Sequence, residues 1–212
     1  MFAHDAERAA CVPAPVNPHA FNPRATWPYG LQQEHVCQAM MDFVDFLGFL
    51  NAQLHAKALP RLESFLMPAN FSSIVGEFMV MRIAAHCPSL VKNRHHNGHP
   101  DLLPSGVFPN DTAQYAHTGI EVKASRRAGG WQGHNPEAVW LMVFHFAANA
   151  ARDAGRGVPP MSFRFRAVYL ARLERTDWNF SGRSATSRRT ITASVNRHGM
   201  AKLRANWLYR EP

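Results

Sequence analysis

The sequence predicts a protein of the α/β (α+β) class in which two long helices come first and most of the strands follow. Apolar residues recur every three to five positions over residues 31–56, and a similar apolar face runs over residues 72–86. This spacing is typical of amphipathic helices. Residues 138–147 are nearly all apolar, as in a central strand that is buried on both faces.

The N-terminal 30 residues contain five prolines and no apolar periodicity. Such a segment predicts an extended arm rather than a domain. The arm could wrap a partner subunit or lie on DNA, but we interpret it as a loosely packed tail. Residues 31–212 fit a single domain that is large enough for a proper core.

The helix over 72–86 has Asn70 and Ser72 as candidate N-caps and Pro88 beyond its end. Strands are predicted at 101–103, 118–124, 163–173 and 190–195, and a short helix at 195–204. Trp207, Leu208 and Tyr209 are predicted to anchor the tail in the core. These elements alternate with turn-forming residues such as Pro104, Gly106 and Asn110.

Composition narrows the function classes. The 23 Lys and Arg residues exceed the 15 Asp and Glu residues, which leaves a formal net charge of +8. A basic surface attracts polyanions, although an arginine-rich proteome would produce the same excess. No run approaches the ~18 apolar residues of a membrane span, and the N-terminus lacks a secretory signal pattern. Three scattered cysteines predict a reducing, cytoplasmic location and no thiolate metal site.

The most informative residues are Asp101 and, twenty positions later, Glu121 and Lys123. Alternate residues of a strand share one face, so Glu121 and Lys123 are predicted to point together, with Ile120 and Val122 directed into a core. Two carboxylates can hold Mg²⁺, and a lysine beside them can orient a water or stabilise charge on a phosphate. An E-x-K pair alone also occurs as a solvated ion pair.

His99-Pro100-Asp101 followed by Ile120-Glu121-Val122-Lys123-Ala124 resembles the PD-(D/E)XK nuclease superfamily, to which type II restriction endonucleases belong. The resemblance implies a restriction-endonuclease-like mixed central β-sheet flanked by helices, with a catalytic core over about residues 70–175. It also implies Mg²⁺-dependent cleavage of double-stranded DNA, with Asp101 and Glu121 as metal ligands and Lys123 as the catalytic lysine. Many members form homodimers and carry a further glutamate on the preceding helix, where Glu77 stands.

Three functions remain open at this point. The first is a sequence-specific, restriction-type DNA endonuclease. The second is another nuclease of the same superfamily that serves DNA repair, recombination or a mobile element. The third is a DNA-binding protein without catalysis, in which the motif is accidental or degenerate.

DNA-contacting residues are predicted mainly in the loop that follows Lys123. Arginines, amides, a histidine and an exposed-looking tryptophan occur there among three glycines, and such groups bond phosphates and base edges. The alternative is a flexible surface loop. A second basic run, over residues 181–190, suits phosphate contact or a disordered loop. The predicted DNA-binding residues are Ser125, Arg126, Arg127, Trp131, Gln132, His134, Asn135, Arg188 and Arg189.

Three histidines lie close together at His95, His96 and His99. They could indicate a zinc site or a His-Asn-His nuclease, but no matching second pair of ligands is evident nearby. We therefore interpret this segment as a solvated loop that faces phosphate.

Overall fold

The computed structural model describes residues 2–133, 136–181 and 192–211. Its α-helices are α1 (Phe2–Ala10), α2 (Gln33–Ala56), α3 (Leu62–Phe65), α4 (Pro68–His86), α5 (Ala151–Ala154) and α6 (Arg197–Ala205). Its strands are β1 (Leu90–Lys92), β2 (Leu102–Pro104), β3 (Ile120–Ser125), β4 (Gln132–Gly133), β5 (Trp140–Ala147), β6 (Arg164–Arg172), β7 (Trp178–Ser181), β8 (Thr192–Val195) and β9 (Trp207–Arg210).

The central sheet has six strands in the order β1-β2-β3-β5-β6-β9. Strands β3 and β5 are parallel, whereas the other neighbouring pairs are antiparallel. The predicted fold class, a mixed central sheet with helices packed against it, is confirmed. A second, antiparallel sheet in the order β4-β8-β7 was not predicted as a separate unit.

Strand β5 separates two apolar cores, which confirms its prediction as a strand buried on both faces. Met142, Phe144 and Phe146 belong to the core that α2 and α4 cover. Leu141 and Val143 belong to the other core, which β8 and α6 help to close. Alternate side chains of a strand point to opposite faces, so an uninterrupted apolar run is what such a position requires.

The two long helices match their predictions except at one end. Helix α2 begins within two residues of the predicted start, and both helices end where predicted. Helix α4 begins four residues before the predicted position 72, with Pro68 in its first turn. Proline suits this position because its missing N–H would have no intrahelical partner there. Asn70 and Ser72 therefore lie inside α4 and are not its N-caps.

The prediction of an extended arm over residues 1–30 is wrong for residues 2–10, which form α1. The prolines begin only at Pro13, and four of the nine α1 residues are alanine, a strong helix former. The prediction of a loose tail is also wrong. The Ala14 N–H donates to the Phe163 carbonyl at 2.8 Å, and Phe21 pairs with Tyr209 as an isolated bridge.

The C-terminal elements agree with the sequence patterns. Asn196 caps α6 by accepting hydrogen bonds from the N–H groups of His198 and Gly199. Leu208 and Tyr209 are buried in the first core, which confirms the predicted anchor. Within the described ranges, the helices lack the combination of length and apolar character that crossing a bilayer requires.

Candidate active site

Strand β3 arranges the E-x-K residues as the alternation of side chains predicts. Glu121 and Lys123 share one face, and the Lys123 ammonium donates a hydrogen bond to Glu121 Oε1. Ile120 and Val122 point into the core beneath α4. The carboxylate is only 8% exposed, and the lysine side chain is 27% exposed, so the pair is not a solvated surface ion pair.

Asp101 reaches this pair through the register of two strands. Strands β2 and β3 are antiparallel and pair Leu102 with Ile120, so the residue before Leu102 lies beside the residue after Ile120. Beyond this point none of the described strands pairs with β3 on that side, and the Val122 N–H donates to Asp101 Oδ2 at 2.8 Å. The three predicted catalytic residues therefore meet at one site.

The start of β3 depends on a glycine. Gly119 has a φ of +137°, a conformation that L side chains rarely adopt. A Cβ atom at this position would collide with the Leu102 carbonyl oxygen and would lie 2.6 Å from Pro100 Cγ. The Gly119 N–H donates to the Tyr29 hydroxyl at 3.1 Å, so the N-terminal segment also helps to hold this strand.

The two predicted metal ligands differ in their electrostatics. Burial and the negative charge of Glu121 raise the pKa of Asp101 to about 7, although Lys123 and the Val122 N–H act in the opposite direction. Burial alone would raise the pKa of Glu121, but hydrogen bonding from His99 and the charge of Lys123 lower it to about 2. Near neutral pH, the Asp101 carboxyl therefore titrates while Glu121 is ionised.

Lys123 is a cation in this setting. Burial alone would lower the pKa of its ammonium, but the charges of Glu121 and Asp101 outweigh burial and raise it. A protonated lysine can stabilise negative charge on a phosphate oxygen, and it cannot accept a proton from water. Of the two roles that the sequence suggested, the geometry favours charge stabilisation.

The assignment of His99 to a solvated loop is wrong, because its side chain is only 14% exposed and contacts Glu121. Glu137, a second residue of the site, was not identified from the sequence. His99 Nδ1 lies 2.8 Å from Glu121 Oε2, and His99 Nε2 lies 3.8 Å from Glu137 Oε2. Burial would lower the pKa of His99, but its hydrogen bond to Glu121 and the charges of both glutamates raise it. The place of His99 directly before Pro100-Asp101 in the motif is the signal that could have identified it. Glu137 follows a loop, and no local pattern marks it.

Two cavities flank the Glu121–Lys123 pair. One, of about 460 Å³, lies toward α4 and is lined by residues including Glu77, Asp101 and Lys123. The other, of about 490 Å³, is lined by residues including His99, Tyr115, Glu121 and Glu137. Lys123 lines both cavities, so it is accessible from either side.

Glu77 lies on α4 in the cavity that also contains Asp101. Its carboxylate pairs with the Lys92 ammonium at 2.7 Å, and its side chain is 68% exposed. It is therefore near the site but turned toward Lys92 and solvent. A catalytic role for Glu77 stays a prediction.

The Mg²⁺ that the resemblance implies fits the residues that are present. Asp101 and Glu121 bring two carboxyl groups together, and both burial and the negative charge of Glu121 raise the pKa of Asp101. A divalent cation between them would relieve the repulsion between the two charges. Both groups supply oxygen donors, which Mg²⁺ prefers.

The loop after β3 differs in part from its prediction as a DNA-contacting segment. Ser125 Oγ accepts a hydrogen bond from the Arg127 N–H at 3.0 Å. Arg126 is engaged within the protein, because its guanidinium donates to the Ala148 carbonyl and lies 3.4 Å from Asp153 Oδ2. Arg127 is exposed. Of the two arginines, Arg127 is thus the better placed to meet a ligand.

The expectation of an exposed Trp131 is wrong. The residue is 4% exposed, packs against Tyr169 with ring centroids 5.5 Å apart, and donates from Nε1 to the Arg127 carbonyl at 2.9 Å. The neighbouring Gln132 is exposed on β4. The other predicted DNA-binding residues, His134, Asn135, Arg188 and Arg189, lie outside the described residues.

Comparison of this chain with protein-family models, curated proteins and solved structures finds no match. The resemblance to the PD-(D/E)XK superfamily therefore rests on the motif residues of the sequence.

Proposed function

We propose that this protein is a Mg²⁺-dependent endonuclease that hydrolyses phosphodiester bonds of double-stranded DNA at a specific sequence. The observation that carries the proposal is the meeting of Asp101, Glu121 and Lys123 at one half-buried site. The site combines two carboxylates, of which Asp101 has a pKa raised to about 7, with a cation that faces two cavities.

Each residue has a defined part in this proposal. Asp101 and Glu121 would hold the metal. Glu121 has a lowered pKa, and the charge of a bound cation would lower the raised pKa of Asp101, so both groups would be ionised. A bound Mg²⁺ supplies Lewis-acid activation of water and neutralises charge on the phosphate. Lys123 keeps its proton and stabilises the negative charge that develops on a phosphate oxygen during cleavage.

The wall next to Asp101 supports a polyanionic substrate. A cavity of about 860 Å³ extends from Asp101 along the segment 91–98, whose side chains include Lys92, Arg94 and His96. Asn93 holds this segment against the site, because it bonds His95, Pro100 and Ala113 at 2.8 to 3.1 Å. The positive side chains of Lys92 and Arg94 along this groove would attract the DNA backbone.

The proposal includes three finer points. The protein would act as a homodimer on a palindromic site, because a two-fold axis repeats the same contacts on both half-sites. It would work in the cytoplasm, where its three free cysteines would stay reduced. The biological role would be restriction of foreign DNA.

Cleavage of plasmid DNA by purified protein tests the proposal. Wild-type protein with Mg²⁺ should yield discrete fragments, and chelator should abolish the reaction. Asp101→Asn and Glu121→Gln should each abolish it, and Lys123→Met should slow it at least about a hundredfold. The controls Asp45→Asn and Lys57→Met change matched charges at exposed positions and should retain full cleavage. Undiminished cutting by the three site variants would overturn the assignment.

A further inference from the structure

A mixed nitrogen and oxygen cluster lies on the side of Glu121 that faces away from the Asp101 cavity. His99, Glu121 and Glu137 each offer one donor atom such that the three atoms lie within 4.8 Å of one another. Glu121 and Glu137 are 6% exposed, and the His99 side chain is 14% exposed. A single ion could contact all three side chains after small rotations.

His99 is held in place before any ligand arrives. Its backbone N–H donates to the Gln114 carbonyl at 3.1 Å, and its carbonyl accepts from the Ala116 N–H at 2.8 Å. Its ring stacks on Tyr115 with centroids 5.4 Å apart and an interplanar angle of 23°. This fixed backbone and stacked ring reduce the conformational entropy that ligand binding would cost.

The outer nitrogen of His99 points to a ligand. Nε2 is buried, and it makes no hydrogen bond with any of the residues that the structure describes. Glu137 Oε2 lies 3.8 Å away, beyond hydrogen-bond distance but close enough for one cation to contact both atoms. Buried polar atoms are normally partnered, so this arrangement requires an explanation.

The cluster opens into a different cavity from the predicted Mg²⁺ ligands. His99, Glu121 and Glu137 line the cavity of about 490 Å³, whereas Asp101 lines the cavity toward α4. Glu121 is the shared residue, because Oε1 faces Lys123 and Oε2 faces His99. A metal ion could therefore bind beside His99 and Glu137 whether or not an ion is bound beside Asp101.

We propose that His99, Glu121 and Glu137 form a second metal site, which takes a divalent transition-metal ion such as Mn²⁺, Co²⁺ or Zn²⁺. Imidazole is a ligand for transition metals, whereas Mg²⁺ selects oxygen donors, so the two sides of Glu121 would differ in their preferred ion. The site rests on the proposed function only in that it shares Glu121 with the nuclease centre. Binding itself needs no DNA and no cleavage.

Cobalt titration of metal-free protein tests the site, with visible absorption and calorimetry as readouts. Wild-type protein should bind one Co²⁺ that saturating Mg²⁺ does not displace. Glu137→Gln, which preserves shape, and His99→Ala should each weaken this binding about tenfold or more. The exposed-histidine control His19→Ala should leave it unchanged, and Asp101→Asn should still bind Co²⁺ through His99. Circular dichroism should verify folding.

If the variants misfold, pulsed electron paramagnetic resonance of Cu²⁺ or Mn²⁺ bound to wild-type protein tests the site without any substitution. Modulation from one imidazole nitrogen is expected, and its absence would overturn the proposal. The proposal would also be overturned if Glu137→Gln bound Co²⁺ as tightly as wild type, or if Asp101→Asn lost Co²⁺ binding. In either case, the role of His99 would be to bind Glu121 and orient its carboxylate. Cobalt binding without any DNA cleavage would refute the nuclease but not this site, and cleavage without imidazole-bound metal would refute this site alone.

Discussion

Asp101 Oδ2 accepts a hydrogen bond from the Val122 N–H at 2.8 Å, where a neighbouring strand would otherwise pair with β3. This bond brings the carboxyl group of a residue next to β2 to the middle of β3. Because Asp101 then lies beside Glu121, the pKa of Asp101 rises to about 7 while that of Glu121 falls to about 2. The two carboxyl groups should therefore change the stability of the protein with pH in opposite directions.

Asp101→Asn should stabilise the metal-free protein, and the gain should grow with pH. The pKa of Asp101 is raised from its ordinary 3.8 to about 7 in the folded protein. The folded state is therefore destabilised progressively as the pH rises from 3.8 toward 7, because the buried carboxyl must lose its proton. Since one pKa unit corresponds to about 1.4 kcal/mol, we expect a gain on the order of 1–3 kcal/mol at pH 8 and less at pH 5. Thermal melts at the two pH values measure it. A variant that is less stable than wild type at pH 8 would contradict the assignment.

Glu121→Gln should have the opposite effect. The pKa of Glu121 is lowered from its ordinary 4.5 to about 2, so its contribution is present above pH 4.5 and is lost as the pH falls toward 2. The variant leaves the Lys123 ammonium and the His99 ring without the Glu121 carboxylate, which should cost about 3 kcal/mol at pH 7. Denaturant unfolding checks this, with exposed Glu34→Gln as the matched control. Equal stability of both variants would argue against the buried ion pairs.

Gly119→Ala should destabilise the protein by about 2 kcal/mol or more, because φ is +137° and the Leu102 carbonyl blocks a Cβ. The site should fail with the fold, since β2 and β3 would lose their register. Gly76→Ala is the control: it lies inside α4 with nothing within 4 Å of the new Cβ, and it should stabilise by roughly 0.5–1 kcal/mol. Similar effects of the two variants on unfolding would contradict the argument.

Lys123→Met should lower the rate of DNA cleavage by about 10² to 10³, because it removes a charge that acts on the developing phosphate oxyanion. Metal binding should persist, since both carboxylates remain. Lys123→Arg should not restore the rate, because a planar guanidinium does not reproduce a compact ammonium beside Glu121. Single-turnover cleavage with saturating Mg²⁺ measures these rates. Recovery of the rate by arginine would indicate that charge alone is sufficient.

Arg127→Ala and Trp131→Ala should separate DNA contact from structure in the loop after β3. Arg127 is exposed, so its loss should weaken DNA binding. It should also reduce the slope of log K against log salt concentration by about one, because one fewer phosphate is neutralised. Trp131 is 4% exposed, so its loss should cost about 3 kcal/mol or more of stability. Binding titrations at several salt concentrations and thermal melts distinguish the two. An unchanged salt slope for Arg127→Ala would move the predicted contact elsewhere, with residues 181–190 as the next candidate.

Local patterns predicted some features of this protein well. The apolar faces of α2 and α4 and the unbroken apolar run of β5 were sufficient to place these elements. Prediction failed where a pattern had two structural meanings. Prolines in the N-terminal segment concealed the helix before them, and a tryptophan among glycines suggested exposure although Trp131 packs beneath its own loop.

The sequence by itself determined that Glu121 and Lys123 share a face of β3, because alternation of side chains is a local property of an extended backbone. Only the tertiary structure decided that Asp101 joins them and that His99 and Glu137 lie on the other side of Glu121. These contacts depend on the β2–β3 register and on the position of the loop before β5. Register and loop placement are set by packing between residues distant in the chain, which local spacing does not encode.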